Sequence, residues 1–384
     1  MSKQNFTFKA SGSVIFGNQT LSQVPQVLED LSSKSVCIVT DPGVAGTGIL
    51  TKLQEILKDT KVNVLTFDDV EPEPDILSVD RCAKLAVENK VDAFIGLGGG
   101  SPMDVAKGAA IVARYGDSIF KYLGVNNVPG STITKILIPT TAGTGSEVTP
   151  YAIFKDKAKN AKTAIQSKHI VCDVAILDPS LTVTCPPKVT AICGMDAFGH
   201  AIESYTSVNA SPMSSQFGIK GLELIGKYLL QAYGNGDNLE ARSAMTLGSH
   251  YAGISIGNAG GGGVGALSYP VEGKYHIVHG LSNSVLMPYV FEYNAIADYE
   301  KFELMCTALG LRYANGKDAT DKIVKFIQEL TVTFGFPQRL RDLGVKKEDI
   351  KEFADDAINR QRILINNMRK YDHQDIVNIY EAAL

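Results

Sequence analysis

Short apolar runs alternate with amphipathic runs through about the first 180 residues of the chain. The apolar runs have the length and bounding residues of buried strands, and they lie at residues 35–40, 62–67, 92–97, 135–139 and 174–178. Between them, residues 49–59, 78–89 and 103–115 carry apolar side chains at helical spacing. This alternation predicts an α/β unit whose parallel sheet has helices on both faces. A hairpin of residues 6–10 and 13–17 is predicted to precede it.

From Pro186 onward the strand signals stop and long helical patterns replace them. Apolar side chains recur at i, i+3 and i+4 within residues 217–233, 240–260, 318–335 and 373–384. Two prolines at 186 and 187 end one pattern and open the next helix. We therefore predict an α/β domain over residues 1–185 and an all-helical domain over residues 186–384.

The composition of the chain indicates which partners and which cellular location to expect. The 384 residues are 45% hydrophobic, and 37 basic against 41 acidic side chains give a net charge of −4 without a basic run, so nucleic acid is not an expected partner. Six cysteines without a CxxC pair indicate reduced thiols and a cytoplasmic location. The N-terminus has no apolar signal region, and no apolar stretch is long enough to span a bilayer, so neither export nor a membrane association is expected.

A glycine-rich segment, Gly98–Gly100, follows a predicted strand and precedes a predicted helix. A backbone without Cβ atoms lets a pyrophosphate approach, and the amides at a helix start favour its negative charge. Ser101 and Asp104 are expected to cap that helix. The segment predicts a phosphate cradle, and a structural turn is the alternative.

Two further loops follow predicted strands. Asp41 ends the first strand of the alternating part, where a carboxylate can bind a ribose and repel the 2′-phosphate of NADP, although acids also open loops without any ligand. In the segment 139–154, the hydroxyl groups of Thr140, Thr141, Thr144 and Ser146 surround two glycines and could bind phosphate or ribose. A hydroxyl-rich loop without a ligand is the alternative there.

Asp196 and His200 lie four residues apart in an apolar helical run. They share one helix face and are expected to be buried. A buried carboxylate needs a cation or hydrogen-bond donors, so the pair predicts either a metal site or a hydrogen-bonded pair.

Several segments taken together resemble the iron-containing, group III alcohol dehydrogenases. They are residues 67–74, 98–107, 139–147, 178–179, 194–205 and 276–288, in the family's order and spacing. The resemblance implies an N-terminal dinucleotide-binding domain, a helical C-terminal domain, and a metal that polarises an alcohol oxygen beside the nicotinamide.

The resemblance also implies a set of NAD contacts. The segment that includes Gly98, Gly99, Gly100, Ser101 and Asp104 would bind the pyrophosphate, and Asp41 would disfavour NADP. Family members use the positions of Thr140, Thr141, Thr144 and Lys162 along the cofactor, where Lys162 would otherwise be taken as a surface lysine. Glu73 replaces the asparagine that is usual in the family.

For the metal, Fe(II) or Zn(II), the resemblance implies Asp196, His200 and His279 as ligands. The family's remaining histidine lies fourteen residues before the last one, and here that position is Gly265. A metal that lacks one imidazole is expected to bind weakly or not at all, although three protein ligands plus water suffice in many catalytic zinc sites.

Two side chains near these ligands are candidates for catalysis. His276 corresponds to a histidine beside the family's site and predicts a proton relay, with a hydrogen-bonded loop histidine as the alternative. Tyr269 stands where some members have another histidine, and it either donates a hydrogen bond to substrate or packs. His169, His250 and His373 belong to no motif and are interpreted as structural or surface residues.

The sequence therefore predicts an NAD-dependent oxidoreductase that interconverts a small alcohol with its aldehyde or ketone. One alternative is a metal-independent reductase in which His276, Tyr269 or Lys162 polarises the carbonyl group. Another is a nucleotide-binding protein that has lost catalysis. The resemblance further implies a homo-oligomer, a dimer or larger.

Overall fold

The computed structural model describes residues 5–10, 12–158 and 161–384. The chain forms two compact units. The α/β unit comprises Ala10–Cys185 and Gly236–Thr246, and the helical unit comprises Pro186–Asn235, Leu247–Leu384 and the described N-terminal residues up to Lys9. This division differs from a single cut after residue 185. The α/β unit includes Gly236–Thr246 from the second half of the chain, and the helical unit includes the described residues up to Lys9.

The α/β unit is built on a parallel sheet of six strands. In chain order the strands of the unit are β1 (Ser13–Phe16), β2 (Ser35–Val39), β3 (Asn63–Phe67), β4 (Ala93–Gly98), β5 (Gly124–Val125), β6 (Thr134–Pro139), β7 (Tyr151–Asp156), β8 (Ala161–Gln166) and β9 (Val174–Leu177). The large sheet has the order β1-β9-β6-β4-β2-β3, and its pairings are all parallel. Together with the helical second half, this arrangement confirms the predicted fold class.

Helices cover both faces of this sheet. They are α1 (Val24–Asp30), α2 (Pro42–Gly46), α3 (Ile49–Leu57), α4 (Ile76–Glu88) and α5 (Gly100–Tyr115). Alternate residues of β2 enter different cores, since Val36 and Ile38 belong to one apolar cluster while Cys37 and Val39 belong to the other. A strand that is buried on both sides has no polar face, which explains why these runs are continuously apolar in the sequence.

The predicted N-terminal hairpin is wrong. Residues 13–16 do form a strand, but β1 pairs in parallel with β9, in the register Ser13 to Val174. The described residues 5–10 form no strand, and the backbone N–H of Lys9 donates to the Asn258 side chain instead. Pairing with β9 at the edge of the large sheet gives each residue of β1 a partner strand residue. An isolated two-stranded hairpin would be less stable than this extended sheet.

A smaller sheet that the sequence did not predict lies in the same unit. Its order is β5-β8-β7, and β7 pairs antiparallel with β8. Burial alternates along β7, which is typical of a strand with one covered face. The first residues of β7 lie in the segment 139–154, and the hydroxyl-rich beginning of that segment masks the alternation in the sequence.

The second unit consists of helices. They are α6 (Pro187–Thr206), α7 (Pro212–Gly234), α8 (Leu239–Ala259), α9 (Gly263–Tyr275), α10 (His279–Ala295), α11 (Tyr299–Ala308), α12 (Gly316–Thr333), α13 (Ile350–Asn359), α14 (Gln361–Leu364) and α15 (His373–Ala383), where α8 contributes its first residues to the α/β unit. Short 3-10 turns of the two units span Thr20–Gln23, Ile119–Tyr122, Lys168–Ile170, Pro179–Thr182, Leu340–Leu343 and Lys347–Asp349.

Among the described residues, no helix combines the length and hydropathy needed to cross a lipid bilayer.

Four consecutive glycines, Gly260–Gly263, connect α8 to α9. Gly260 has a φ of +77°, and a Cβ on Gly263 would lie 2.1 Å from the hydroxyl oxygen of Tyr371, so a side chain is excluded there. The carboxylate of Glu203 lies at the start of α9, where a Cβ on Gly262 would lie 3.2 Å from its Oε1, and it accepts a hydrogen bond of 2.7 Å from the backbone N–H of Val264. Glu203 thus caps a helix that has no capping side chain of its own.

Burial raises the pKa of Glu203 to about 7, although the backbone N–H groups of Val264, Gly262 and Gly265 favour its charged form. The folded protein therefore retains a proton that the unfolded chain releases between about pH 4.5 and pH 7. Stability is lost as the pH rises through that window. A raised pKa of this size corresponds to about 3 kcal/mol.

We expect Glu203→Gln, which does not titrate, to remove this dependence. The free energy of unfolding of the native protein should fall relative to that of the variant by about 3 kcal/mol between pH 5 and pH 8. Urea unfolding at four pH values measures the difference, with the exposed Glu381→Gln as the control. A difference between native protein and Glu203→Gln that stays constant with pH would contradict the burial argument.

Candidate cofactor and metal sites

The chain reverses its direction across the large sheet between β2 and β4. From β2 it passes through α2 and α3 to β3 on one side, and then through α4 to β4 on the other side of β2. In open α/β sheets, ligands bind outside the carboxyl ends of the strands at such a switch point. Asp41 lies just after β2, and Gly98 ends β4, so two of the predicted cofactor positions meet there.

The glycine segment forms the turn from β4 into α5. Gly98 has a φ of +148°, and a Cβ there would lie 2.7 Å from Cγ of Pro102, so only glycine fits. Gly99 is the N-cap residue, and α5 begins at Gly100. The expectation that Ser101 or Asp104 caps the helix is wrong, since both lie within α5 and the N-cap has no side-chain hydrogen bond. The first amides of α5 therefore remain available to an anion.

Asp41 occupies the neighbouring loop. Its Oδ1 accepts a hydrogen bond of 2.9 Å from the N–H of Val44 and so caps α2. Its Oδ2 would lie 3.2 Å from a Cβ on Gly98, which places the carboxylate directly beside the glycine turn. The side chain is partly exposed, so its second oxygen is accessible to a hydroxyl donor.

The threonine-rich loop after β6 lies against the same turn. The backbone N–H of Thr140 donates to the carbonyl of Gly98 at 2.9 Å. A Cβ on Gly99 would lie 3.5 Å from Oγ1 of Thr141, and one on Gly100 would lie 3.0 Å from Cγ2 of Thr144. The structure thus brings together the glycine turn, Asp41 and the threonine loop, which the sequence placed far apart.

Asp104 and Ser146 contact each other instead of lining the turn. Oγ of Ser146 donates to Oδ1 of Asp104 at 2.5 Å, and the N–H of Ile153 donates to Oδ2 at 2.9 Å. Both side chains are buried. Asp104 and Ser146 therefore connect α5 to the loop that carries the threonines, and Ile153 extends the connection to β7.

Lys107 completes this network and was not found by the sequence reasoning. Its ammonium group is fully buried and donates to Oγ of Ser146 at 2.9 Å and to the carbonyls of Thr149 and Tyr151 at 3.2 and 2.7 Å. It lies 3.7 Å from Asp104. Burial raises the pKa of Asp104 and lowers that of Lys107, while the charge of each favours the charged form of the other. The sequence did carry a signal for this buried pair, since Lys107 follows Asp104 by three residues within an apolar helix.

Lys162 lies on β8 and forms an ion pair with Glu73 at 2.7 Å. Glu73 adopts a left-handed backbone conformation with a φ of +51° in the loop before α4. The side chain of Lys162 is only 17% exposed, so it is not the solvated surface lysine of the alternative interpretation. The residue that departs from the family pattern, Glu73, is thus the one that holds Lys162.

Asp196, His200 and His279 form a cluster in the helical unit. One ligand atom from each lies within 4.8 Å of the others. Nε2 of His200 is 3.6 Å and Nε2 of His279 is 3.8 Å from Oδ1 of Asp196. Asp196 and His200 come from α6, and His279 is the first residue of α10. A carboxylate and two imidazoles at these distances fit a divalent ion of the iron or zinc type.

Neighbouring polar groups orient these ligands. Nδ1 of His279 lies 2.6 Å from Oε1 of Glu272, which is buried, and Ser282 donates to the same oxygen. Asn283 donates to Oδ1 of Asp196 at 3.1 Å. Such partners fix the imidazole tautomer and are typical of metal sites. The sequence reasoning missed Glu272 and Asn283, because spacing alone did not reveal which side of α9 and which side of α10 lie toward the cluster.

Gly265 lies on α9, two helical turns before Glu272. Among the described residues, the nearest atom to a Cβ on Gly265 would be Oε2 of Glu203, at 4.0 Å. A Cβ would thus fit at this position without a close contact. Among the described residues, the candidate cluster offers three possible ligand side chains, and Gly265 adds none.

Tyr269 and His276 differ in their environments. The Tyr269 ring stacks on His279 with centroids 5.4 Å apart, and the guanidinium of Arg360 lies 5.2 Å from its centroid. His276 is exposed, ends α9 with a φ of +53°, and does not belong to the Asp196, His200 and His279 cluster. Tyr269 is therefore packed against a metal-ligand candidate, whereas His276 faces solvent.

The remaining histidines lie elsewhere. His169 is in a 3-10 turn of the α/β unit, and His250 is buried within α8. His373 is exposed, and its Nε2 lies within hydrogen-bond distance of Oδ1 of Asp355, at 2.8 Å. None of the three belongs to the metal cluster of the described residues.

Comparison with known proteins matches two family descriptions to this chain. Residues 11–179 match "Iron-containing alcohol dehydrogenase", and residues 190–384 match "Fe-containing alcohol dehydrogenase family, C-terminal". The long-chain-alcohol dehydrogenase 1 of Geobacillus thermodenitrificans is 36% identical over 94% of this chain and 93% of its own length. The NAD-dependent methanol dehydrogenase of Bacillus methanolicus is 34% identical over 96% and 97%.

Solved structures support the same relationship. A crystal structure of 1,3-propanediol oxidoreductase superposes with a TM-score of 0.95 at 33% identity, and the match covers 99% of this chain and all of that one. The family implies a nicotinamide cofactor and an iron or other divalent metal, which agrees with the two sites described above. The chain belongs to the iron-containing alcohol dehydrogenase family, as its motifs predicted, and is an enzyme of the alcohol dehydrogenase or aldehyde reductase type.

Proposed function

We propose that this protein interconverts a small alcohol with its aldehyde or ketone and uses NAD(H) as the hydride carrier. The observation that carries the proposal is the cluster of Asp196, His200 and His279 in a chain of the alcohol dehydrogenase family. The related methanol and long-chain-alcohol dehydrogenases support the reaction class.

The cofactor would bind at the switch point of the large sheet. The amides of Gly99, Gly100 and Ser101 would bind the pyrophosphate at the start of α5. Asp41 would accept a hydrogen bond from the adenine ribose, and its charge would repel a 2′-phosphate. Thr140, Thr141, Thr144 and Lys162 would contact the rest of the dinucleotide, whereas Asp104 and Ser146 act through the buried network with Lys107.

Asp196, His200 and His279 would hold the divalent ion. When bound, the ion supplies a Lewis acid that polarises the alcohol or carbonyl oxygen. Oε1 of Glu272 would hold a proton on Nδ1 of His279, so that Nε2 would be the ligand atom. Tyr269 covers one face of the His279 ring and would limit the access of water from that side.

His276 is exposed, and its imidazole would carry the substrate proton to solvent on a ring nitrogen.

Gly265 favours one alternative, a reductase on the same fold that works without a metal. The two mechanisms separate in one assay, the oxidation of NADH with a panel of small aldehydes before and after exhaustive chelation. Activity that disappears with the metal and returns with Fe(II) or Zn(II) supports the metal-assisted reaction. Activity that survives chelation supports the alternative, and binding of NADH without turnover of any aldehyde or alcohol would overturn the proposal.

The proposed partners are a small alcohol or aldehyde and, as the resemblance implies, further copies of this chain. A cytoplasmic location and the absence of nucleic acid partners stay predictions from the sequence, and the homo-oligomeric state stays an expectation from the resemblance.

We expect Asp41→Asn to weaken the preference for NAD over NADP. Asparagine caps a helix as well as aspartate does, so the variant removes the charge and retains the cap on α2. The ratio of kcat/KM for the two cofactors should shift toward NADP by about tenfold, which corresponds to ~1.4 kcal/mol. The exposed Asp59→Asn is the matched control, and an unchanged ratio in Asp41→Asn would contradict the ribose assignment.

Gly265→His should tighten metal binding. The position accepts a Cβ without a close contact, and an added imidazole would supply a fourth ligand. We expect the dissociation constant for Zn(II) to fall by about tenfold or more, measured by competition with a chromogenic chelator. Gly234→His, at a glycine whose Cβ would meet no atom within 4 Å, is the control. Equal affinities in the two variants would refute the ligand assignment.

A further inference from the structure

The backbone of Glu73 adopts a conformation that its side chain disfavours. Its φ of +51° lies in the left-handed region, where a residue with a Cβ is strained and asparagine is tolerated better than glutamate. Strain of this kind persists only where the surrounding structure fixes it, and it is concentrated at functional sites. The contacts of the Glu73 side chain therefore indicate what the strained position is for.

The loop that carries Glu73 is attached to the smaller sheet. The backbone N–H of Lys155, on β7, donates to the carbonyl of Pro74 at 2.9 Å. Lys155 pairs with Lys162 across β7 and β8. The contact at Pro74 thus brings Glu73 close to Lys162, and the two side chains meet at 2.7 Å.

The same loop lies at the carboxyl edge of the large sheet. It follows β3, and the backbone N–H of Val70 donates to the carbonyl of Thr40 at 3.3 Å. Thr40 directly precedes Asp41, whose carboxylate lies beside the glycine turn at Gly98. Glu73, three residues after Val70, therefore holds a lysine of the smaller sheet at the edge where the cofactor is proposed to bind.

The ion pair restricts a flexible side chain. Lysine has a flexible four-carbon stem, and the entropy lost when it is ordered opposes ligand binding unless the free protein has already ordered it. Only 17% of the Lys162 side chain and 37% of the Glu73 side chain are exposed, so solvent screens this pair less than a fully exposed pair. An ammonium group has three N–H donors, so a lysine that binds a carboxylate can also donate to a ligand.

We propose that Glu73 is a positioning residue for NAD(H), which holds Lys162 in the orientation in which the lysine donates to the dinucleotide. The inference rests on the proposed function, since Lys162 is assigned to the cofactor there. The ion pair accounts for the strained backbone at Glu73, because a residue that suits this backbone better would not supply the charge. Loss of the charge should weaken cofactor binding more than it slows turnover at saturating NADH.

The test measures NADH binding, from the fluorescence of the bound cofactor, in two variants of this position. Glu73→Gln and Glu73→Asn both remove the charge, and asparagine also relieves the backbone strain. The dissociation constant for NADH should rise by about five- to tenfold in both variants, the range that corresponds to ordering one long side chain. Glu73→Asn should melt about 1–2 °C above Glu73→Gln. An affinity that follows the melting temperature instead of the charge would indicate a structural role and overturn the proposal.

Lys90→Asn is the matched control for the backbone change. Lys90 is exposed and has a φ of +53°, nearly that of Glu73, but it lies between α4 and β4 at the amino edge of the large sheet. Its replacement should raise the melting temperature and leave the NADH affinity unchanged. Weaker NADH binding in Lys90→Asn would show that backbone strain alone influences the cofactor, which contradicts the proposal.

A double-mutant cycle tests whether Glu73 acts through Lys162. Lys162→Met removes the ammonium group and retains a long side chain, so Glu73→Gln should not weaken NADH binding further in that background. Additive losses would show that Glu73 acts on the cofactor without the lysine. Tighter NADH binding in the single variant Glu73→Gln would show that the carboxylate competes with the cofactor for Lys162. Either result would overturn the proposal.

Two outcomes separate failure of this inference from failure of the proposed function. A native protein that does not bind NADH would overturn the proposed function and this inference with it. NADH binding of equal strength in the native protein and in Glu73→Gln would overturn this inference alone. In the assay with an aldehyde, the KM for NADH should rise in Glu73→Gln by about the same factor as the dissociation constant, and an effect confined to kcat would also contradict a positioning role.

Discussion

The parallel pairing of β2 with β4 is the constraint on which the proposed cofactor site depends. Because β3 and β4 lie on opposite sides of β2, the loops that leave β2 and β4 diverge from the sheet in opposite directions and open a crevice. Asp41 and Gly98 meet at this crevice only because their strands are adjacent and point the same way. The pairing of β4 with β6 then adds the threonine loop on the other side of the glycine turn.

In the helical unit, two buried glutamates have the corresponding role. Glu203, on α6, holds the start of α9, and Glu272, on α9, holds the first residue of α10. The three helices that surround the metal cluster are thus connected by carboxylates that are not ligands themselves. The glycines at the start of α9 allow the first of these contacts, since a Cβ on Gly262 would lie 3.2 Å from Oε1 of Glu203.

The sequence was sufficient for the features that depend on periodicity and motifs. Continuous apolar runs identified the strands of the large sheet, helical spacing identified the helices of the second half, and motif order identified the family. It was insufficient where long-range pairing decided the outcome. The N-terminal strand took β9 as its partner because an existing sheet edge offers a longer ladder than a local turn.

The same limit applies to the candidate sites. Asp196 and His200 were predicted from their i, i+4 spacing and His279 from the resemblance, and the three side chains do lie together in the structure. Glu272 and Lys107 were missed because their roles depend on which atoms tertiary packing brings near. Asp104 and Ser146 were predicted to contact the cofactor, yet they hydrogen-bond to each other within a buried network that includes Lys107 and Ile153.

The buried position of Lys107 has a consequence for the energetics of cofactor binding. Its ammonium group is held by Ser146, by two backbone carbonyls and by the charge of Asp104, and withdrawing Asp104 would leave an unpaired charge in the interior. The network therefore restrains the threonine loop of the proposed cofactor site. Such preorganisation would spare the association reaction the entropy loss of ordering that loop, so that more of the contact energy would be expressed as affinity.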